Sequence, residues 1–173
     1  MASTYTLISS NVLSSSAASV TFSSIPATYT DLVVRISARG SRSAVLDNIV
    51  VRYNSNSSAI YSTTMITGAG STTGSFGTSG NTSFTFNTSN GNTTTANTFG
   101  STEIYIPNYL STTSKPISTI SLSETNSATD NYLRALADLF RNTSAITSIT
   151  FTPEIGPNWL TDSSFYLYGI KNS

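Results

Sequence analysis

Alternating apolar and polar residues mark two strands early in the chain. In Leu32–Arg39, positions 32, 34, 36 and 38 are apolar and positions 35, 37 and 39 are polar, which is the pattern of a strand with one solvated face. Asp47–Asn54 repeats it, with inward positions 49, 51 and 53. Gly40–Ser43 between them has turn chemistry, which predicts a β-hairpin or a short crossover.

Similar signals recur along the whole chain. Ala145–Thr152 and Ser164–Ile170 are strong strand candidates near the C-terminus. Weaker candidates are Tyr5–Ile8, Ser19–Phe22, Ile60–Ile66, Ser83–Phe86, Glu103–Ile106 and Ile117–Leu122. Eight to ten short strands separated by Ser, Thr, Asn and Gly turns predict an all-β fold: one antiparallel β-sandwich domain, jelly-roll-like, over residues 1–173.

Residues 132–141 fit two secondary structures. As a helix, the segment places its apolar positions 132, 133, 136, 139 and 140 on one face, with Asp130 or Asn131 as an N-cap. As a strand, positions 133, 135, 137 and 139 alternate with the others. The local pattern favours the helix, but tertiary contacts often override propensity in so short a segment.

The stretch from Gly68 to Gly100 differs from its surroundings, since it holds seven of the ten glycines and is otherwise mostly Ser, Thr, Asn and Phe. One interpretation is a long solvated excursion with a single hairpin strand at Ser83–Phe86. The other is an interaction arm that docks on a neighbouring subunit through Phe76, Phe84 and Phe86. Both make this segment a place to look for partner contacts.

Composition removes several classes of function. The 173 residues include 33 Ser and 29 Thr but no His and no Cys, so imidazole bases, thiolate nucleophiles and Cys/His zinc sites are excluded. Eight basic residues balance eight acidic ones, which leaves no electrostatic basis for nucleic-acid binding. The apolar runs are too short to span a membrane, and the first residues lack the pattern of a secretory signal.

The acidic residues are scattered singly, so the sequence indicates no catalytic carboxylate pair and no calcium loop. We therefore expect no enzymatic activity, no metal and no cofactor. Among the cations, Arg35, Arg39 and Arg52 would lie on the polar faces of two strands that could pair. They would form either a small cationic patch or cross-strand pairs with Asp31 or Asp47.

The last strand is apolar on both faces. Phe165 and Leu167 point to one side, whereas Tyr166, Tyr168 and Ile170 point to the other. A strand with this pattern is typically covered on both sides. We expect one side in the sandwich core and the other, with Tyr166 and Tyr168, near a subunit contact. Exposed tyrosines and Trp159 could instead form a sugar-stacking platform.

The C-terminal segments Asn142–Pro153, Asn158-Trp159 and Ser164–Lys171, which contain ITSI and FYLYGIK, resemble the closing strands of small jelly-roll virion proteins of tailed phages, notably marine and cyanobacterial ones. Ile25–Asn54 looks like the early strands of the same family. The resemblance covers about half of the chain, and the stretch from Gly68 to Gly100 lies outside it. It implies that Leu133–Arg141 is a strand.

The resemblance also implies a function. It indicates a non-enzymatic virion structural protein, assembled in the host cytoplasm, and specifically a decoration or cement protein on the outer capsid surface that contacts the major capsid protein. By analogy with phage decoration and fibre proteins we expect a homo-oligomer, with a trimer favoured. The alternatives are a tail or fibre component and a glycan- or receptor-binding module.

Overall fold

Two antiparallel sheets make up the protein. A computed structural model describes residues 4–126 and 131–171, and these contain strands but no helix. The strands are β1 Tyr5–Val12, β2 Val20–Phe22, β3 Asp31–Ala38, β4 Leu46–Tyr53, β5 Tyr61–Ala69, β6 Thr72–Asn81, β7 Phe84–Asn90, β8 Gly100–Ile106, β9 Lys115–Ser123, β10 Tyr132–Phe140, β11 Ile149–Pro153 and β12 Ser164–Ile170. The all-β sandwich is confirmed, with twelve strands in the described residues.

The two sheets differ in size. The larger has eight strands in the order β1-β12-β3-β8-β9-β10-β5-β6, and the smaller has four in the order β2-β11-β4-β7. They pack face to face around one hydrophobic core. The described residues form no third layer, so nothing covers the outer face of the larger sheet.

The aromatic core lies between the sheets. Trp159 packs on Phe165 with ring centroids 5.6 Å apart, and Phe165 packs on Phe151 at 5.7 Å. Phe165 and Leu167, the inward residues of β12, are fully buried. That side of the strand was predicted to face the core, and the prediction is confirmed.

Chain segment 40–45 is a crossover between sheets. β3 pairs with β12 and β8, whereas β4 pairs with β11 and β7, so the hairpin alternative is wrong. Arg35 lies on β3 and Arg39 just beyond its end, whereas Arg52 lies on β4. Because β3 and β4 belong to different sheets, the predicted cationic patch does not form. Arg35 binds Glu103 at 2.7 Å instead.

Buried charged groups hold the loops through backbone hydrogen bonds. The guanidinium of Arg39 donates to the carbonyl oxygens of residues 92, 94, 95 and 98. Lys115, which is fully buried, donates from Nζ to three carbonyls, those of residues 111, 142 and 144. Asp31 and Asp47 accept backbone N–H groups of residues 108 and 156. The expected pairing of these carboxylates with the arginines is therefore wrong.

The glycine-rich stretch is mostly strand rather than a long loop. β6 forms a hairpin with β5 around Gly70, whose φ of 56° suits glycine, and β7 is an edge strand of the smaller sheet. Phe84 is 1 % exposed and packs against Tyr53 and Tyr61. The excursion interpretation is thus wrong, and Phe84 is a core residue rather than an interface residue.

Residues 132–140 form a strand, β10, between β9 and β5. The helical face suggested by local spacing is not realised. Nine consecutive residues pair with a strand on each side, and the backbone hydrogen bonds of a central strand outweigh the weak preference for a helix.

One buried carboxyl group makes stability depend on pH. Asp138 lies on the inner face of β10 and accepts a hydrogen bond from Thr63 at 2.6 Å and a longer one from Thr119 at 3.4 Å. Burial raises the pKa of Asp138 from 3.8 to about 6, although these hydrogen bonds lower it in part. Compared with the unfolded chain, the folded state therefore favours the neutral form of this carboxyl group.

We predict that Asp138→Asn stabilises the protein at pH 8 but not at pH 4. The wild-type penalty is absent below the unfolded-state pKa, grows between about pH 4 and pH 6, and is constant above that, reaching about 3 kcal/mol. Urea unfolding at both pH values measures the difference, with the exposed Asp162→Asn as the control for loss of one charge. An equal effect of Asp138→Asn at both pH values would contradict this assignment.

Candidate interface on the outer face of the larger sheet

Strand β9 alternates strictly between buried and exposed residues, but part of it has the reverse of the usual polarity. Thr119, Ser121 and Ser123 face the interior, whereas Ile120 and Leu122 face outward. The neighbouring β10 follows with Leu133 and two alanines on the outside and Asp138 inside. Part of the hairpin formed by these strands therefore has polar side chains on its buried face and apolar side chains on its exposed face.

The inward hydroxyl groups form a network that we call the hydroxyl seam: Thr88 of β7, Thr102 of β8 and Ser121 of β9. Ser121 Oγ accepts the backbone N–H of Thr88 at 2.6 Å. It also lies 2.9 Å from Thr88 Oγ1 and 2.8 Å from Thr102 Oγ1. Ser123 extends the contact between the sheets by donating to Asn90 Oδ1 at 2.6 Å. These hydrogen bonds satisfy the buried polar groups that the reversed polarity creates.

The outward apolar residues of β5, β9 and β10 form one surface, the aliphatic patch, made of Ile66, Ile120, Leu122 and Leu133. Their exposed fractions are 65 %, 58 %, 38 % and 54 %. Strand register joins them, since Ala135 lies opposite both Ile66 and Ile120, and Leu133 lies opposite Leu122. Single exposed aliphatic residues are ordinary, but four in adjacent register positions are typical of an interaction surface.

An ion pair bounds the patch. One row of directly paired residues crosses the outer face of all eight strands: Ser10, Tyr166, Arg35, Glu103, Ile120, Ala135, Ile66 and Ser75. Arg35 and Glu103 occupy its middle, and both side chains are largely exposed. They separate the aliphatic patch from a second apolar surface.

The second surface, the tyrosine patch, consists of Tyr5, Leu7, Tyr166 and Tyr168. Tyr166 and Tyr168 are half-buried on the outer face of β12, with stacked rings whose centroids lie 6.4 Å apart. Tyr5 and Leu7 of β1, the edge strand, are about half exposed, and Leu7 lies opposite Tyr168. The structure thus places these two interface candidates on an open face, and their role in a subunit contact stays a prediction.

The candidates from the glycine-rich stretch are not brought together with these tyrosines. Phe76 is 45 % exposed on β6, opposite Met65, at the far edge of the larger sheet and on its inner face. The backbone of Phe86 belongs to β7, but its side chain lies outside the described residues. A single arm with three docking phenylalanines is therefore not present.

Few of the described side chains are of the types that act in acid–base catalysis or bind metals. Over residues 4–126 and 131–171, no three His, Cys, Asp or Glu side chains come together as a metal-binding group. In the same ranges no helix has the length and hydropathy to cross a membrane. The expectations of no metal, no cofactor and no enzymatic activity remain predictions.

No known protein family matches the sequence, and no curated protein or solved structure is similar to it at a significant level.

We predict that Ser121→Ala destabilises the protein by about 1–3 kcal/mol, because it leaves the N–H of Thr88 buried without its acceptor. Ser118→Ala on the exposed face of the same strand is the matched control and should change stability by less than about 0.5 kcal/mol. Denaturant unfolding measures both. Equal effects of the two substitutions would contradict the assignment of the inner and outer faces of β9.

Proposed function

We propose that the chain is a non-enzymatic structural protein of a tailed-phage virion: a capsid decoration protein that forms a homotrimer and binds the major capsid protein on the outer capsid surface. The observation that carries this proposal is the open outer face of the eight-stranded sheet, with apolar patches on both sides of one ion pair. The resemblance of the C-terminal strands to phage virion proteins supplies the biological setting.

The physical properties of this face suit a structural role. A sheet presents a broad surface, and apolar side chains on it gain free energy when a second surface removes them from water. Among the described residues, five charged side chains are buried, namely Asp31, Arg39, Asp47, Lys115 and Asp138. Few charges are left to repel a neighbouring subunit, so the surface is well suited to permanent contacts.

The tyrosine patch is the surface that we assign to the trimer contact. Tyr166 and Tyr168 already stack on each other, so little side-chain freedom remains to be lost in a contact. Tyrosine rings also combine apolar area with a hydroxyl group that tolerates water at the rim. Such residues are enriched at the centres of protein interfaces.

A glycan-binding module is the second candidate, and one observation favours it. Tyr166, Tyr168, Arg35 and Glu103 line an open depression of about 330 Å³ on the outer face. Stacked aromatic rings beside charged hydrogen-bonding groups are suited to a sugar ring. A tail or fibre component that binds a receptor would use the same depression.

Capsid binding tests the virion role directly. The purified protein is mixed with expanded capsids assembled from the major capsid protein encoded in the same genome, and the capsids are sedimented. We expect the protein to pellet with capsids to a saturating stoichiometry. Folded protein that stays in the supernatant would contradict the decoration role, and selective binding on a glycan array would favour the second candidate.

We predict that Tyr166→Glu prevents trimer formation and leaves a folded, β-rich monomer, because a charge would be buried in the contact without a partner. Light scattering at low micromolar concentration gives the mass, and circular dichroism checks the fold. Thr21→Glu is the control, since Thr21 is exposed on the outer face of the smaller sheet. A Tyr166→Glu variant with wild-type trimer mass would show that the tyrosine patch is not the contact.

A further inference from the structure

The aliphatic patch is a separate surface from the tyrosine patch, and the trimer contact does not use it. We propose that it binds the same patch of a second copy of this chain, face to face about a two-fold axis. The outer face of one eight-stranded sheet would then pack on that of another, as the two sheets of a sandwich do. This contact does not depend on the virion role.

Shape is the first argument for a second copy. Leu122, Leu133 and Gly68 lie side by side in paired positions of β9, β10 and β5. Gly68 and Gly70 leave an open depression beside the two leucines. Leu122 therefore protrudes one strand to one side of β10, and the hollow at Gly68 lies one strand to the other side.

A two-fold axis along β10 would use that arrangement. It would place Leu122 of one copy over Gly68 of the other, and Ile66 of one over Ile120 of the other. The outward residues of β10 would meet their own copies along the axis, where Ala135 and Ala137 allow the sheets to approach and Leu133 packs on Leu133 of the other copy. Large residues then face small ones or each other without requiring a differently shaped partner.

Charge is the second argument. The outward positions of β5, β9 and β10 are Ser62, Thr64, Ile66, Gly68, Pro116, Ser118, Ile120, Leu122, Leu133, Ala135, Ala137 and Leu139. None of these described positions has a charged side chain. In a two-fold contact each group meets the same surface, so any charge near the axis would face its own copy. These neutral positions avoid that repulsion, and the acidic side chain that lines the depression beside Gly68, Glu124, lies beyond the end of β9 and off the axis.

Area is the third argument. Three strands at about 4.8 Å spacing and nine residues at about 3.4 Å per residue give a face of roughly 14 by 31 Å, a projection of roughly 430 Å². The corrugated accessible surface exceeds this projection and is comparable with the smaller specific interfaces, which are weak or transient. The patch with its serine and threonine rim is therefore large enough for a contact that forms as the protein concentration rises.

Sedimentation over a concentration series tests the inference on the full chain. We expect the mass of a monomer to double as the concentration rises, and the mass of a trimer to double because its three patches close on those of one second trimer. Doubling is the signature of a two-fold contact, whereas the trimer contact sets the mass of the starting unit. If the starting unit is a monomer and its mass doubles, only the proposed trimer is contradicted. If the starting unit is a trimer whose mass does not double up to several hundred micromolar, only this inference is overturned.

Two variants locate the contact. Leu133→Glu places a charge at the centre of the patch and should weaken the doubling at least about a hundredfold. Gly68→Val fills the hollow. A Cβ at Gly68 meets no atom within 4 Å in the monomer, so the variant should fold as well as the wild type. It should weaken the doubling about tenfold through steric conflict with Leu122 of the other copy.

Ile155→Glu is the matched control, because Ile155 is an aliphatic residue of similar exposure that lies outside both patches. It should leave the doubling unchanged. Circular dichroism and thermal unfolding confirm that each variant is folded. The proposed contact would be overturned if Leu133→Glu and Gly68→Val both double in mass over the same concentration range as the wild type, or if only Ile155→Glu fails to double.

Discussion

The hydroxyl seam decides how the rest of the sandwich is arranged. Short side chains at Thr88, Thr102 and Ser121 let β7 approach the larger sheet closely, and hydrogen bonds of 2.6–2.9 Å join the two sheets there. Residues on a strand alternate between faces, so hydroxyl groups inside force the intervening residues outside. Ile120 and Leu122 are therefore exposed as a consequence of how the sheets are joined, and the outward patch and the inward seam are two sides of one arrangement.

Buried charged side chains satisfy the polar groups of the loops, as the hydroxyl seam does for the strands. Lys115 and Arg39 donate hydrogen bonds to backbone carbonyl oxygens of loops rather than to carboxylates. These carbonyl groups lie outside the strands and so have no partner in a neighbouring strand. Asp47 does the same for loop N–H groups. Loops rich in Ser, Thr and Asn are thereby fixed by polar groups in addition to buried apolar residues such as Tyr109, Ile146 and Trp159. The surface keeps few charges, and its polar character comes mainly from hydroxyl and amide groups, which do not oppose the approach of a second subunit.

Alternation in the sequence was sufficient to predict the sandwich, because strands such as β3 and β12 have apolar residues on the face that the core covers. It could not predict which face of β9 is buried, since alternation shows only that the faces differ, and the polar face turned inward. Phe84 was misassigned because its neighbours are glycine and hydroxyl residues, which resemble a loop in composition although they form strands. The core face of β12, with Phe165 and Leu167, was predicted correctly from the alternation, which leaves the tyrosines on the opposite face.

The central claim is that the outer face of the eight-stranded sheet is where copies of this chain meet. Since the chain has no cysteine, a single Ser118→Cys variant at the rim of the aliphatic patch can carry one spin label. Pulsed dipolar spectroscopy at high protein concentration then measures the distance between copies. The account predicts a narrow distribution, shorter than that from Thr21→Cys on the opposite side of the sandwich. A dipolar signal from Thr21→Cys with none from Ser118→Cys would contradict it.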